Sequence, residues 1–326
     1  MAKSAAIHKK KKTNPVQALK IYLQNNSGKK LAKKIIIGFA LYLVLFDLAF
    51  VFIYPFLTMI SDAFKSDADL INSTVKWIPT ELYWTNFKVA FKQLNYMTYL
   101  KNSVLITVIA TLGHTMVCSF VGYGFARYNF KGKGVLFGGV ILSMLVPMQV
   151  LIIPLYSIFS GWHWTESWLP LLVPCFFGFG LRGGFYIFLF RQFFMGLPHE
   201  MEEAAKIDGC GPLKTFFYIM LPMSRSSILV CVVLSAVWHW NDYFEPNIYL
   251  SQVPELALLP SKLPGMYEQL VKLASDSEVA EGVSIVINQA NCMAATFLVI
   301  LPLLIAYVFV QKQFMEGVER SGLTGM

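Results

Sequence analysis

The sequence predicts an all-α integral membrane protein with six transmembrane helices, and three observations support this fold class. Of the 326 residues, 56% are apolar and 14% are charged, whereas about 25% of the residues in a soluble domain are charged. Six stretches are apolar over about the 20 residues that a helix needs to cross a bilayer. The lysine and arginine residues are concentrated in alternate connections between these stretches, which is the usual distribution for cytoplasmic loops.

The chain begins with a lysine-rich extension, residues 1–34, which holds ten of the 27 lysine and arginine residues. A basic cluster directly ahead of an apolar stretch is typical of a cytoplasmic anchor on anionic lipid. We therefore attribute the net charge of +8 to contact with membrane lipid and expect no nucleic acid as a partner. The first apolar run is too long for a cleavable signal peptide, and no small-residue cleavage site follows it.

Residues 35–326 are predicted to form one transmembrane domain. Its six predicted spans are residues 35–58, 101–125, 135–159, 168–190, 226–250 and 290–311. Prolines inside the third and fourth spans predict kinks or unwound turns there. If the N-terminus is cytoplasmic, the cytoplasmic segments hold nineteen lysine and arginine residues and the external segments six. The sequence thus predicts a multi-pass membrane protein with both termini in the cytoplasm.

The predicted cytoplasmic loop between spans four and five, residues 191–225, contains the most informative pattern. Pro198 suits the first position of a helix, and the three glutamates that follow it favour the positive N-terminal end. Gly209 suits the position that ends a helix, and a second helix can begin at Pro212 and end at Pro222. We therefore expect two short helices joined by a tight turn.

The side chains of the first short helix suit a contact with another protein. Ala204 and Ala205 would let a partner backbone approach closely, while Glu202, Glu203 and Asp208 offer acceptors to basic residues of the partner. A rigid helix of this kind can transmit a partner's movement to the spans that it joins. It can equally be an interfacial helix that only caps the bundle, and the residues alone leave both interpretations open.

The spacing of residues in this loop resembles the EAA signature of binding-protein-dependent ABC permeases. The signature is matched by Glu203-Ala204-Ala205, Gly209 and Ile219-x-Leu221-Pro222. Further segments resemble the carbohydrate branch of the family, the maltose-type second permease subunit: Arg191 to Phe194, Ile207 to Gly209, Trp240 to Tyr243 and Gln313 to Gly317. The similarity covers about residues 35–326, and the lysine-rich extension is longer than the resemblance predicts.

The resemblance implies that the loop contains a coupling helix seated in a groove of a cytoplasmic ATPase. The coupling residues that it implies are Glu203, Ala204, Ala205, Asp208, Gly209, Ile219, Leu221 and Pro222. It also implies a second permease, two ATPase subunits, an extracytoplasmic sugar-binding protein and a sugar as cargo. The location that it implies is the bacterial plasma (inner) membrane. The sequence contains no Gly-x-x-x-x-Gly-Lys-Ser/Thr motif, so ATP and magnesium are expected on the partner ATPases. We expect no catalytic, cofactor-binding or metal-binding residue in this chain.

Polar and aromatic residues near the ends of the last two spans are candidates for the solute path. They are Trp238, Trp240 and Asn241 in span five and Asn288 and Asn291 at the start of span six. Aromatic faces combined with amides suit a sugar, but an interfacial aromatic belt with an interhelical hydrogen bond would give the same pattern. Asp47 and His114, each alone in an apolar span, are expected to pair between helices.

A glycine motif in the fourth span and three other functions fit the sequence less well. Gly178-x-Gly180-x-x-Gly183 matches a dinucleotide fingerprint, but without a preceding strand it favours helix packing through Gly180 and Gly184. An importer for a non-carbohydrate solute would share the loop signature. A stand-alone secondary transporter would require internal repeats or a path of buried charges. A membrane-embedded enzyme would require a cluster of catalytic groups. The sequence shows no internal repeat, no path of buried charges and no such cluster.

Overall fold

The computed structural model describes residues 27–180, 182–275 and 288–323. Within these ranges the regular elements are helices, and no strand is present. The chain forms two compact units, Met1–Thr58 and Met59–Met326, and the boundary falls inside the first helix, α1 (Ser27–Ala63). Of the predicted lysine-rich extension, residues 27–34 form the first turns of α1, and the rest lies outside the described residues.

The first unit consists, in its described part, of α1 as far as Thr58. The helix is apolar on all sides between residues 35 and 57, apart from Asp47, which is the pattern of a membrane-spanning helix. Pro55 lies inside the helix and removes one backbone donor. The Thr58 hydroxyl donates to the carbonyl oxygens of Tyr54 and Pro55, at 3.2 and 3.0 Å. The first predicted span is thus a continuous helix.

The second unit contains the remaining elements. In chain order they are α2 (Asp67–Ile71), α3 (Thr85–Gln93), α4 (Tyr96–Arg127), α5 (Lys133–Leu145), α6 (Met148–Gly161), a 3₁₀ turn (Trp164–Glu166), α7 (Leu169–Leu172), a 3₁₀ helix (Val173–Phe177), α8 (Gly183–Met195), α9 (Glu200–Ile207), α10 (Pro212–Thr215), a π-helical segment (Phe216–Met220), α11 (Leu221–Met223), α12 (Arg225–Asn241), α13 (Phe244–Tyr249), two 3₁₀ turns (Pro254–Leu256 and Pro260–Lys262), α14 (Leu263–Ser275) and α15 (Gln289–Leu323).

Three of the described helices are continuous and apolar enough to cross a membrane: Lys33–Ala63, Tyr96–Arg127 and Gln289–Met315. They contain the first, second and sixth predicted spans. Two further candidates are bent pairs. Helices α5 and α6 meet at 101°, and the segment Pro212–Met223 meets α12 at 80°. The first bend follows Leu145 and is adjacent to Pro147, so the kink predicted from proline in span three is confirmed.

The fourth predicted span, residues 168–190, is not one helix. It consists of α7, a 3₁₀ helix, a turn and α8, and two prolines without a backbone donor lie in its first half. Gly178, Gly180 and Arg182 all adopt positive φ angles, of 67°, 93° and 60°, so the turn cannot continue a right-handed helix. The unwound turns predicted for this span are confirmed. The fifth predicted span is also interrupted, because α12 ends at Asn241.

Helix α4 lies at the centre of the second unit and packs against α8 and α12. Gly184 of α8 makes the close approach to α5, because an added Cβ would lie 2.3 Å from the Ser143 hydroxyl oxygen. The predicted packing role of Gly184 is thus confirmed. Gly180, in contrast, lies in the turn before α8, so the expectation that it packs within a helix is wrong.

Two buried histidines connect α4 to α12. His114 Nδ1 lies 3.0 Å from His239 Nε2, and His114 Nε2 lies 3.0 Å from the carbonyl oxygen of Phe179. Neither side chain is more than 6% exposed. The prediction that His114 pairs with a group on another helix is confirmed, and His114 also holds the turn that precedes α8 through its contact with Phe179.

Candidate functional site

The loop of residues 191–225 has the predicted two-part organisation, with differences at the ends of its helices. The first short helix, α9, begins at Glu200, two residues after Pro198. The second part begins at Pro212 as predicted and continues through the π-helical segment into α11. Pro222 does not end it. This proline lies in the first turn of α11, and the 80° bend comes after Met223.

The end of α9 depends on Gly209. Its φ angle is +77°, its N–H donates to the Lys206 carbonyl at 3.1 Å, and the Cys210 N–H donates to the Ala205 carbonyl at 2.8 Å. These two bonds form a Schellman motif, which satisfies carbonyl groups at the end of the helix. An added Cβ would have no atom within 4 Å. Glycine is therefore required for its backbone conformation, and the surface around it is open.

The outer face of α9 combines acidic and apolar groups. Glu203, Ala204, Ile207 and Asp208 are exposed, and Ile207 is 86% exposed. Exposed large apolar side chains surrounded by polar groups are typical of protein-binding surfaces. Ala205 is only 2% exposed, so the expectation that both alanines face the partner is wrong for this one.

The inner face of α9 is attached to the membrane domain by Arg127, the last residue of α4. Its guanidinium donates to the Leu197 carbonyl, lies 2.9 Å from the His199 ring, and places Nε 3.4 Å from Glu202 Oε1. The last contact is an ion pair without hydrogen-bond geometry. Because Glu202 pairs inside the chain, the expectation that it offers an acceptor to a partner is wrong.

Sequence reasoning did not identify Arg127 as part of this site. The residue lies 70 positions before Leu197, and no local pattern relates the two. The available signal was weak: Arg127 is a single arginine at the end of an apolar stretch, and the loop is rich in glutamate.

An aromatic cluster of Tyr123, Phe194 and Phe216 connects the second part of the loop to α4 and α8. The centroid of the Phe216 ring lies 5.1 Å from that of Tyr123 and 6.2 Å from that of Phe194. Phe216 is 1% exposed. Ile219 and Leu221 pack against the same core. The loop is therefore joined to two long helices by buried side chains, and displacement of the loop would displace those helices too.

The tryptophans predicted for the solute path lie in different clusters. The Trp238 ring contacts Phe185 and carries the Arg182 guanidinium 4.3 Å above its centre. Trp240 is 6% exposed, and its indole N–H donates to the Val299 carbonyl of α15 at 3.1 Å. The structure thus places Trp238 beside the turn before α8, whereas Trp240 joins α12 to α15.

The three asparagines predicted for the path also have partners. Asn241 donates to the Val237 carbonyl at 2.9 Å, within its own helix. Asn288 donates from Nδ2 to Asp67 and accepts, at 2.8 Å, from the Asn291 backbone N–H. Asn288 and Asn291 lie together at the start of α15. The role of these five residues in solute transfer stays a prediction.

One group of described residues has metal-ligand character. The ligand atoms of His114, Cys175 and His239 lie within 4.8 Å of one another, and all three residues are buried. The two imidazoles bond to each other, and the Cys175 thiol donates to the Leu171 carbonyl at 3.2 Å. These groups are therefore paired without a metal ion. Their spacing in the sequence gave no indication that they meet.

Comparison with known families identifies the type of protein. The model of the binding-protein-dependent transport system inner membrane component matches residues 116–320, more than half of the chain. The chain belongs to this family. The matched region includes the whole loop with α9, all of α8, and the C-terminal part of α4 that carries Tyr123 and Arg127. Family members are transport components of the membrane, so the chain is a multi-pass membrane protein.

Two curated relatives match over most of their length. The arabinooligosaccharides transport system permease protein of Halalkalibacterium halodurans is 27% identical over 292 residues, covering 89% of this chain and 95% of the relative. The lactose transport system permease protein of Rhizobium radiobacter is 28% identical over 282 residues, covering 86% and 94%.

A solved structure has a similar fold. It is a crystal structure of a bacterial ABC transporter involved in the import of the acidic polysaccharide alginate. The TM-score is 0.69 at 21% sequence identity, and the match covers 86% of this chain and 98% of that chain. This likeness concerns the fold alone.

Proposed function

We propose that the chain is one permease subunit of a binding-protein-dependent ABC importer, paired with a second permease and driven by two ATPase subunits. The observation that carries the proposal is the loop. Inside the region matched by the family, α9 presents Glu203, Ala204 and Asp208 on an exposed face and ends at Gly209 in open space. Its inner side is joined to α4 through Arg127.

The proposed cargo is a sugar or an oligosaccharide. The relatives named for arabinooligosaccharides and lactose match 86% or more of this chain. Sugar transport is therefore the activity that the comparisons favour for it. An extracytoplasmic binding protein would supply the sugar, and ATP and magnesium would bind to the partner ATPases.

The proposed mechanism is alternating access. ATP binding closes the two ATPases, and α9 transmits this movement through Arg127 and Phe216 to α4 and α8. The cavity between the two permeases then changes from inward-facing to outward-facing and accepts the sugar. ATP can drive this change only if the ATPases interact differently with the two states, and the contact at α9 provides the place for that difference.

The proposed orientation puts both termini and the loop of residues 191–225 in the cytoplasm of a bacterial cell. The lysine and arginine residues support it, because nineteen of them fall in the segments that would be cytoplasmic. The lysine-rich extension, residues 1–34, would then lie against anionic lipid of the inner leaflet.

Charge reversal on the outer face of α9 tests the coupling role. Glu203→Lys should weaken binding of the ATPase to the permease pair at least tenfold, equivalent to about 1.4 kcal/mol, because it places a cation where an acceptor is needed. Gly209→Pro should also abolish coupled transport. Glu200→Lys is the matched control, since Glu200 is exposed in the first turn of the same helix. Normal sugar uptake with Glu203→Lys would remove α9 from the mechanism.

Reconstitution with partner proteins encoded by neighbouring genes tests the whole proposal. The chain, a second permease, the ATPases and the binding protein are placed in proteoliposomes with lactose, arabinotriose, maltotriose or diacetylchitobiose. We expect ATP hydrolysis to rise only with the loaded binding protein, and one sugar to accumulate. A chain that purifies alone and transports without ATP would instead be a secondary transporter. Stimulation by a non-carbohydrate solute alone would overturn the proposed cargo.

A further inference from the structure

We propose that a cavity between three interrupted helices of this chain binds one uncharged glycosyl unit of the cargo, with Gln149 and Arg182 as hydrogen-bond donors. The cavity has a volume of about 410 Å³, within the range of small-molecule sites. The inference rests on the proposed function and deepens it, because it assigns sugar contacts to residues outside the predicted path and gives the charge of the sugar.

Three helix interruptions lie about 20 to 25 Å from the helix ends on the side of the 191–225 loop. Helix α5 ends at Leu145, α8 begins at Gly183 and α12 ends at Asn241. At a rise of about 1.5 Å per residue, the 13 residues of α5 and of α8 span about 20 Å, and the 17 residues of α12 span about 25 Å. Measured from the ends on the side of the 191–225 loop, all three interruptions fall in the far half of a bilayer core of about 30 Å.

Non-helical backbone inside a membrane is stable only in particular surroundings. Non-helical segments inside a membrane persist where they are buried in protein or line a polar cavity, and transporters place solute sites between discontinuous helices. All three interruptions contribute to the wall of the same cavity, through Val146 to Gln149, through Gly178 to Gly180 with Arg182 and Gly183, and through Asp242, Phe244 and Glu245. The three helix interruptions therefore form the wall of the cavity.

The wall offers donors that the protein does not use. Arg182 and Gln149 are both exposed, and neither side chain hydrogen-bonds to another of the described residues. The Arg182 guanidinium is held over the Trp238 ring, which fixes its position and leaves its N–H groups available. Arg182 also has a φ angle of +60°, a conformation that is uncommon outside glycine and that is often retained for function.

The opposite part of the wall offers acceptors and an apolar surface. Asp242 accepts two backbone N–H bonds through Oδ1, from Phe244 and Glu245, at 3.1 and 3.3 Å, which holds its carboxyl group in place. Glu245 also lines the cavity. The Phe179 ring is 44% exposed and provides the kind of apolar face that packs against the C–H groups of a sugar ring.

The charges of the wall favour an uncharged sugar. One guanidinium, from Arg182, lies with two carboxyl groups, from Asp242 and Glu245, around the same cavity. The wall has no excess of positive charge with which to bind a carboxylate. Hydroxyl groups, in contrast, can accept from Arg182 and Gln149 and donate to the carboxyl groups. The chemistry therefore matches a neutral glycosyl unit better than a uronate.

Transport by the full complex provides the first test. The reconstituted transporter is supplied with whichever of the four neutral sugars the wild type accumulates. Gln149→Ala and Arg182→Ala should lower uptake at least tenfold, while stimulation of ATP hydrolysis by the loaded binding protein changes less than twofold. Gln192→Ala is the matched control, because Gln192 is an exposed amide on α8, at the other end of that helix. Unchanged uptake in both variants would overturn the site, with the wild-type uptake still supporting the importer.

Protection from chemical modification provides a second test that survives a loss of transport. Met144→Cys, at an exposed residue that lines the cavity and to which no sugar contact is assigned, is introduced into the purified complex, and its reaction with a maleimide is followed by mass spectrometry of the peptide. The transported neutral sugar should slow the reaction at least threefold, and a disaccharide containing a uronate should not. Absence of protection by the neutral sugar would overturn the site whatever the uptake result. Protection only by the uronate would overturn the inferred charge class.

Discussion

Gly209 is the residue whose backbone sets the shape of the candidate coupling surface. Its φ angle of +77° ends α9, and the space around it is open. An L-residue with a side chain would be strained in this conformation by about 1–2 kcal/mol. The requirement for glycine is therefore one of conformation, and it can be separated from steric exclusion of the partner by a suitable control.

Gly209→Ala should destabilise the end of α9 by about 1–2 kcal/mol and reduce coupled sugar uptake several-fold. The control is Gly211→Ala. Gly211 also has no atom within 4 Å of an added Cβ, but its φ angle is −72°, so alanine is not strained there. Hydrogen exchange of the α9 amides and uptake in proteoliposomes measure the two effects. Equal results for the two variants would contradict the argument from backbone conformation.

The stability of the segment between α1 and α4 depends on pH through the carboxyl group of Asp69. It is 4% exposed, and its two carboxylate oxygens accept from the Thr80 hydroxyl at 2.7 Å and the Thr80 N–H at 3.0 Å. The hydrogen bond from the Thr80 side chain lowers the pKa of Asp69 below its ordinary value. A lowered pKa means that the stabilisation is complete above the ordinary value and is lost as the pH falls through the lowered one.

We therefore expect the segment from α2 to Thr80 to be held at neutral pH and to loosen below about pH 4, the ordinary range of an aspartate. Exchange of the Thr80 amide hydrogen, measured by mass spectrometry between pH 3 and 7 with correction for the intrinsic rate, checks this. Asp69→Asn is the control and should show faster exchange across the whole range. A protection factor that stays constant down to pH 3 in the wild type would contradict the proposed link.

Arg127 joins the proposed coupling helix α9 to the end of α4. Arg127→Met should leave the Glu202 carboxylate, whose side chain is 10% exposed, without its ion pair, and the loss of one partner of a buried pair costs about 3–5 kcal/mol. We expect α9 to lose hydrogen-exchange protection while α4 keeps it. Lys131→Met, at an exposed basic residue nearby, is the control.

The double variant Arg127→Met/Glu202→Gln isolates the cause. Because it leaves no unpaired charge in the buried site, it should recover part of the protection lost in Arg127→Met. A double variant that is as unprotected as the single one would indicate that the arginine acts through its contact with Leu197, and the ion pair would then have no role.

The elements also show where reasoning from the sequence succeeds. Spans one, two and six follow from apolar length alone, and the bend at Pro147 and the end of α9 at Gly209 follow from the stereochemistry of single residues. The fourth span could not be predicted as separate pieces, because an apolar composition is the same for a straight helix and a broken one. The local chemistry of proline and glycine indicated only that it would be distorted.

Some features of the candidate site could likewise be predicted from the sequence, and others could not. Gly209 and the exposed acids of α9 are local features, so the sequence revealed them. The burial of Ala205 and the pairing of Glu202 with Arg127 depend on which side of α9 meets α4. Contacts between segments 70 or more residues apart leave no periodic pattern in a single sequence, so neither could be predicted.

For the whole molecule, cysteine accessibility tests the proposed orientation. Cys118, Cys175, Cys231 and Cys292 are at most 1% exposed, and Cys210, beside Gly209, is partly exposed. A membrane-impermeant maleimide should therefore modify one cysteine of this chain in inside-out vesicles that lack the ATPase, and none in right-side-out vesicles. Cys210→Ser should abolish the modification. Labelling in right-side-out vesicles alone would place the loop on the external side.

The bonded histidines have a consequence for how this permease can change over generations. The Phe179 carbonyl can only accept, so His114 Nε2 carries the hydrogen, and Nδ1 accepts from His239 Nε2. Replacing either ring would leave a buried ring nitrogen unpaired, at a penalty of about 1–3 kcal/mol, whereas replacing both with apolar residues would leave no ring nitrogen unpaired and would remove only the donor to the Phe179 carbonyl. Although 125 positions separate them, the two histidines should be inherited together and lost together.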